Sequence, residues 1–208
     1  TGAWGTVFND DRTKASDSQG YIDVKYEKGF ENDQKVFARL FYDYYRYDGK
    51  YIIDYPPLTM NKDLAVGKWW GGEALYSRRI FNRHTIMAGA EYRDNFLQQQ
   101  KNFDESPYTI YADDKRASYS TGVYAQGEIV LSDSVLLNAG VRYDHYKDFS
   151  GRFNPRVALI YSPFDKTTVK LLYGEAYRIP NVYELYYSDG NISQKANPDL
   201  NHETIRTY

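Results

Sequence analysis

The 208-residue chain has no cysteine, which excludes disulfides, thiolate metal sites and thiol catalysis. It has no apolar run approaching the roughly 20 residues that a membrane-spanning helix needs. Neither sign of charge prevails: 26 basic against 28 acidic residues leave a net charge of −2, so composition implies neither a nucleic-acid footprint nor a polybasic membrane patch. Histidine is scarce, and His84, His145 and His202 show no His-x-x-x-His or Glu-x-x-His spacing. A Gly-x-Ser-x-Gly elbow and a phosphate-binding glycine loop are missing too. The acidic pairs Asp10-Asp11, Asp104-Glu105 and Asp113-Asp114 lack the spacing of a calcium loop and read as solvated turns. No catalytic residue, metal ligand or cofactor is therefore expected, and the chain does not read as an enzyme. No repeat of roughly 20 to 50 residues is evident, so residues 1–208 read as one contiguous domain segment.

What is present is alternation with a period of two. From Val135 to Asp144, Leu137, Ala139, Val141 and Tyr143 share one face, and Asn138, Gly140, Arg142 and Asp144 the other. The same parity returns in Ile22, Val24, Tyr26; in Val36, Ala38, Leu40, Tyr42; in Ile86, Ala88, Ala90, Tyr92; and in Val123, Ala125, Gly127, Ile129. Val157, Leu159, Tyr161 and Val169, Leu171, Tyr173 repeat it, and Gly72, Ala74, Tyr76 is its weakest instance. One face suits lipid and the other water. Only half of each strand need be apolar in a transmembrane β-barrel, so a hydrophilic average does not argue against one. A soluble sandwich would alternate as well.

Aromatic residues mark the ends of the apolar face. Tyr42, Trp70, Tyr92, Tyr119, Tyr143, Phe153 and Tyr173 fall next to long connections, and Tyr26, Tyr76 and Tyr161 next to short ones, as interfacial girdles do. Short connections are expected near Glu27–Gln34, Arg78–His84, Ser132–Ser134 and Ser162–Thr167. Long ones are expected near Tyr47–Lys68, Asp94–Ala117 and Arg178–Glu203, with Asp144–Arg152 intermediate. Outer-membrane barrels keep turns short on the periplasmic side and loops long outside, so Val36 to Tyr44 is expected to run outward. The predicted fold is all-β: an antiparallel transmembrane β-barrel segment of about eight strands with the start of a ninth, an internal piece of a larger wall.

Several motifs resemble those of the TonB-dependent outer-membrane receptors. Gly89-Ala90-Glu91-Tyr92-Arg93 is similar to an outward strand after a periplasmic turn, and Tyr124-Ala125-Gln126-Gly127-Glu128 to the family's Tyr-x-Gln-Asp-Glu strand. Gly140-Val141-Arg142-Tyr143-Asp144 matches its Gly-x-Arg-Tyr-Asp strand, and Asn154-Pro155-Arg156 the opening of the next. Tyr177-Arg178-Ile179-Pro180-Asn181-Val182-Tyr183-Glu184-Leu185-Tyr186 is similar to Phe-Arg-Ala-Pro-Ser-x-x-Glu-Leu-Tyr. Asn197-Pro198-Asp199-Leu200-Asn201-His202-Glu203-Thr204 is similar to Asn-Pro-Asp-Leu-Lys-Pro-Glu-Thr. Tyr177, Ile179, Gly127 and Asn201-His202 depart from the pattern. The resemblance is dense over Gly89–Tyr208 and rests on alternation before that.

The resemblance implies a 22-stranded barrel in the outer membrane of a Gram-negative-type bacterium, closed by its own plug domain. It implies contact with the inner-membrane TonB complex through an N-terminal region that, like the plug, is not found in these residues. It implies energy-coupled uptake of a scarce, bulky nutrient, a ferric siderophore first, carried as a transported ligand rather than a cofactor. Cobalamin, haem or an oligosaccharide are alternatives, as are a passive porin-like channel and a soluble β-sandwich adhesin.

The outer loops are expected to be rich in tyrosine: Tyr44, Tyr45, Tyr47, Tyr51, Tyr55, Tyr108, Tyr111, Tyr183, Tyr186 and Tyr187. Such rings either contact ligand, where a rigid amphipathic side chain loses little entropy, or pack loop on loop and sit among headgroups. Glu91, Arg93, Gln126, Glu128, Arg142, Asp144, Arg156 and Lys170 should face the lumen, in cross-strand pairs or toward plug and solute. Arg178, Pro180 and Glu184 read as a strand-to-loop hinge, and with Asn197, Pro198, Leu200 and Glu203 as family architecture.

Overall fold

The structure, a computed structural model, describes residues 5–31, 33–54, 57–191 and 193–208. Among these residues nine strands follow one another: β1 (Lys14–Phe30), β2 (Gln34–Ile53), β3 (Thr59–Ile80), β4 (His84–Glu105), β5 (Tyr108–Ser132), β6 (Val135–Tyr146), β7 (Phe149–Phe164), β8 (Thr167–Arg178) and β9 (Glu203–Thr207). A single helical turn, α1 (Val182–Tyr186), lies between the last two. Order in the sheet is order in the chain, and every pairing is antiparallel. Among the described residues the outer edges of β1 and β9 have no partner, so the sheet is open.

Cross-strand register carries the alternation across the sheet. One hydrogen-bonded row reads Tyr26, Ala38, Ala74, Ala90, Val123, Tyr143, Phe153 from β1 to β7. It begins at an aromatic of the short-turn end and finishes at one of the long-connection end. That fixes the tilt. The row crosses six strand spacings, about 29 Å, while Tyr161 to Phe153 covers the same two belts in eight residues along β7, about 27 Å. The strands therefore lean by about 43° from the line joining the belts, within the range of transmembrane barrels, and the belts stand about 20 Å apart.

Both belts form. Trp70 and Tyr92 have ring centroids 5.4 Å apart, Tyr92 and Tyr119 6.5 Å, Tyr143 and Phe153 4.6 Å, and Tyr173 and Tyr208 5.5 Å. Between the belts the outward face of β2 to β7 carries no charged residue. This apolar face is the exposed one: Ile22, Leu40, Val123 and Leu171 all lie open. A soluble sandwich would press such faces together, so that alternative falls.

The connections differ from the expected ones. Two of the long ones are hairpins, not loops: β2 and β3 pair continuously to Ile53↔Thr59, and β4 and β5 to Glu105↔Tyr108. Alternating Tyr, Lys, Asp and Gln beyond the belt still satisfies its backbone through the ladder, with water on both faces instead of lipid. Short turns shrink likewise: β1 and β2 pair up to Phe30↔Gln34, and the others span residues 81–83, 133–134 and 165–166. Among the described residues the long irregular connection is that between β8 and β9, 179–202, and it folds back over the sheet. Buried residues sit where it lands: Gln100, Asn102, Asp104, Ala112, Leu185 and Tyr187.

Candidate functional site

Beyond the outer belt the lumen-side face becomes a wall of tyrosine, amide and carboxylate. On β2 it presents Tyr45, Tyr47 and Tyr51, with Gly49 between the last two. A Cβ on Gly49 would lie 2.7 Å from the Tyr51 ring and 2.8 Å from the Tyr47 hydroxyl, so only glycine lets these hydroxyls meet. β3 adds Asn61, Asp63 and Trp69. On β4 a bulge between Asn95 and Gln98 moves the lumen parity from odd to even. Glu91 and Arg93 are followed on that face by Gln98, Gln100, Asn102 and Asp104.

The 179–202 segment is fastened at its base. Arg178, at the end of β8, holds Glu184 at 2.8 Å and Glu203 at 2.9 Å. Its guanidinium keeps both carboxyls below the usual range, and Glu184 also accepts from the Asn181 backbone. Asn181 caps α1 in return: its side chain accepts from the Glu184 N–H at 3.0 Å, closing a capping box. One cation thus ties the strand end, the helix start and the return strand together.

From that base α1 leans onto the β3–β5 wall. The Gln100 amide donates to the Val182 carbonyl at 2.9 Å. The Arg116 guanidinium lies 3.3 Å from the Tyr186 ring centre, a cation–π contact. Tyr187 reaches furthest. Its hydroxyl donates to Asp63 at 2.9 Å and accepts from Asn102 at 2.9 Å, while its ring stacks on Tyr183 at 4.4 Å. Asn61 donates to both Asn102 and Asp104 at 2.9 Å, and Tyr111 donates to Asp104 at 2.7 Å. Gly190, at φ +81°, lies so close to the Tyr111 ring that a Cβ would approach it to 2.8 Å.

These groups enclose a cleft of about 480 Å³ between the returning segment and the strand wall, lined by Tyr47, Tyr51, Asp63, Tyr111, Tyr183 and Tyr187 among others. A second cleft, about 500 Å³, continues toward the membrane past Tyr45, Trp69 and Arg93. Burial pushes the Asp63 carboxyl up, against the downward pull of hydrogen bonds from Tyr187 and Asn102. Burial and the neighbouring Asp63 charge hold the Tyr187 phenol well above its ordinary value, so it stays a donor. The arrangement offers stacked aromatic faces, phenol and amide hydrogen bonds and a carboxylate.

Five of the predicted tyrosines, Tyr47, Tyr51, Tyr111, Tyr183 and Tyr187, meet at the first cleft, and Tyr45 lines the second. Tyr45, Tyr47, Tyr51, Tyr108 and Tyr111 are strand residues rather than loop residues, because the hairpin ladders run on past the belt. Tyr108 stands apart at a hairpin tip, exposed and against Phe103. Tyr186 faces Arg116, Tyr44 lies on the outward face beneath Lys68, and Tyr55 lies outside the described residues. Asp63, Gln100 and Asn102 do not stand out in the sequence, although Gln98, Gln100, Asn102 and Asp104 follow a period of two that marks one face.

Nearer the belts, Arg142 bridges Glu91 at 3.0 Å and Asp144 at 2.7 Å on the lumen side. Gln126 donates to Asn138 at 2.9 Å, and Arg93 lies 4.8 Å from the Trp69 ring centre. Arg156 borders the same polar cleft as Arg142 and Asp144. Glu128 and Lys170 are exposed, with no ion pair among the described residues. Pro180 ends the β8 ladder. Asn197 forms a turn that receives the Leu200 N–H at 3.4 Å and the Asp199 N–H at 3.3 Å, with Pro198 inside it.

The sequence model described as TonB dependent receptor-like, β-barrel, matches residues 1–208. The chain is 26% identical over 158 residues to the ferrienterobactin receptor of Escherichia coli, an alignment covering 70% of this chain and 20% of that receptor. A crystal structure of a mutant ferric enterobactin receptor (PfeA) of Pseudomonas aeruginosa in complex with enterobactin superposes with a TM-score of 0.62 and 18% identity, over 82% of this chain and 27% of that one. The siderophore receptor PirA of Acinetobacter baumannii gives 0.56 and 16%, over 83% and 27%. The chain thus spans between a fifth and just over a quarter of the length of these relatives. Its alternating strands, its two belts, the ordered motifs and the match along its whole length make it a member of the TonB-dependent receptor β-barrel family.

Proposed function

We propose that these residues form one contiguous arc of an outer-membrane barrel whose parent protein takes up a ferric siderophore, driven by the TonB complex through its own plug and N-terminal region. The observation that carries this reading is the closure of the 179–202 segment onto the β2–β5 wall. It brings Tyr47, Tyr51, Tyr111, Tyr183 and Tyr187 from distant parts of the chain around one cleft on the lumen side. A passive channel has no need of a segment clamped at Arg178 and sealed by Tyr187 on Asp63. The similar receptors are receptors for ferric enterobactin and for siderophores, which gives the substrate class its support.

In this reading the tyrosine faces stack on the planar metal-binding groups of the ligand while phenol and amide groups meet its oxygens. The lumen-side groups Glu91, Arg93, Gln126, Glu128, Arg142, Asp144, Arg156 and Lys170 border the path below. The test is uptake of radiolabelled ferric siderophores by cells carrying the full-length parent, with and without a protonophore. Saturable uptake that collapses with the proton gradient is expected. Flux indifferent to the gradient would point to a porin, and uptake of cobalamin or haem alone would replace the substrate class.

A further inference from the structure

The first cleft carries charge of one sign. Among the described residues that line it, Asp54, Asp63 and Asp189 are carboxylates and none is a lysine, arginine or histidine. Alternation is the cause. Lys50, Lys62 and Lys101, the lysines next to the wall residues, fall on the opposite parity, where Lys62 meets Glu105 and Lys101 meets Asp113. Asp63 itself is held by neutral donors, the Tyr187 hydroxyl at 2.9 Å and the Asn102 amide, and has no ion pair among the described residues. Burial disfavours its charge there.

Tyrosine completes the character of the cleft. Tyr47, Tyr51, Tyr111, Tyr183 and Tyr187 line the same space, and Tyr183 stacks on Tyr187 at 4.4 Å. Aromatic faces attract a cation through their quadrupole, most strongly where water is excluded. A carboxylate offers about four lone-pair sites, and Tyr187 and Asn102 use only part of that capacity on Asp63. Rings around a carboxylate suit an ammonium group and reject an anion. Siderophore complexes differ in this respect by simple charge balance. Iron(III) held by three catecholates, each doubly ionised, is a trianion. Held by three hydroxamates, each singly ionised, it is neutral, and an amine on the same chain makes it a cation.

We propose that the cleft selects a cationic ferric siderophore, a trihydroxamate-type chelate bearing a free amine, whose ammonium group donates to Asp63 among the tyrosine rings. Tyr47, Tyr183 and Tyr187 line the second cleft as well, so one ligand can span both. Arg93, which lies against Trp69 in that second cleft, then meets the chelate oxygens at the other end. The inference rests on the siderophore uptake proposed above and narrows it to one charge class. An ammonium bonded to a carboxylate and covered by aromatic faces contributes about tenfold to a hundredfold in affinity.

The test measures equilibrium binding of three radio-iron chelates to the full-length receptor: ferric desferrioxamine B, a cation through its free amine; its N-acetyl derivative, which is neutral; and a ferric tris-catecholate. Wild type should bind the amine form at least about tenfold more tightly than the acetylated form, and the trianion most weakly. Asp63→Asn, which keeps an acceptor for Tyr187, should narrow the gap between amine and acetylated forms. Equal affinity for those two forms, or preference for the trianion, overturns the proposal while the siderophore reading stands. A gap that persists undiminished in Asp63→Asn overturns the assignment to this cleft. Should that variant fail to fold, the comparison on wild type decides alone, because acetylation alters only the ligand. If no ferric chelate binds saturably, the siderophore reading falls and this proposal with it.

Discussion

Tyr187→Phe should open the cleft while leaving the wall intact. The substitution keeps the ring stacked on Tyr183 and removes one hydroxyl, which donates to Asp63 at 2.9 Å and accepts from Asn102 at 2.9 Å. A hydrogen bond to a charged group contributes about 1.5–3 kcal/mol. Asn102 keeps its exchange with Asn61, so its amide is not abandoned. A loss of about 2 kcal/mol corresponds to about thirtyfold more of the undocked segment. Hydrogen–deuterium exchange on the full-length receptor reads this at the amides of Leu185 and Tyr187, which bond to the Asn181 and Tyr183 carbonyls. Unchanged protection in Tyr187→Phe would refute the argument. Asp63→Asn separates the charge from the bond. The docked site raises the Asp63 pKa above its ordinary 3.8, so docking binds a proton there. As pH rises through the window just above 3.8, Asp63 ionises in a buried place and docking weakens. The Asn variant keeps an acceptor for Tyr187 without the desolvated charge, and this pH dependence should vanish in it.

Arg178→Gln should free Glu184 and Glu203 together and hasten proteolysis within 188–202. Because both carboxyls are held below their ordinary 4.5, the same loosening should appear in wild type as pH falls below about 4.5; equal cleavage rates across that range would count against the clamp. Val141→Arg, on the lipid face between the belts, should cost about 2–4 kcal/mol of stability in vesicles, whereas Asn138→Arg on the lumen side should cost little. Equal urea midpoints for the two variants would contradict the face assignment. Gly122→Val places a side chain where a Cβ would already lie 2.8 Å from Asp144, and should cost about 1–3 kcal/mol. No change in its urea midpoint would mean that the Arg142–Asp144 pair moves freely.

The strands were legible because lipid keeps charge off the outward face of β2 to β7 between the belts, so that an uncharged position recurs at every second residue. Beyond them that constraint lapses. From Tyr47 to Lys68 and from Asp94 to Ala117 both faces meet water, hydrophobicity stops reporting the strand, and the ladder continues unseen. The bulge after Asn95 hid more, since it turns Gln98, Gln100 and Asn102 to the face that Glu91 and Arg93 occupy below. The motif from Arg178 to Glu203 announced an anchored segment but not its landing place, because the contact of Tyr187 with Asp63 joins residues 124 positions apart.

The same twofold alternation that hides charge in the composition also gives it two separate tasks. A strand above the membrane must put successive side chains on opposite faces, so a carboxylate at one position and a lysine at the next never compete for the same space. Asp63 beside Lys62 shows this: Asp63 closes the cleft with Tyr187, while Lys62 points outward beside Lys50 and Glu105. Shifting β3 by one residue would exchange the two faces and set lysines in the cleft and carboxylates on the outward face. The register that fixes this is anchored in the membrane, where Trp70, Gly72 and Ala74 pair with Tyr42, Leu40 and Ala38, so the lipid-facing half of the strand determines the chemistry of the half that reaches beyond it.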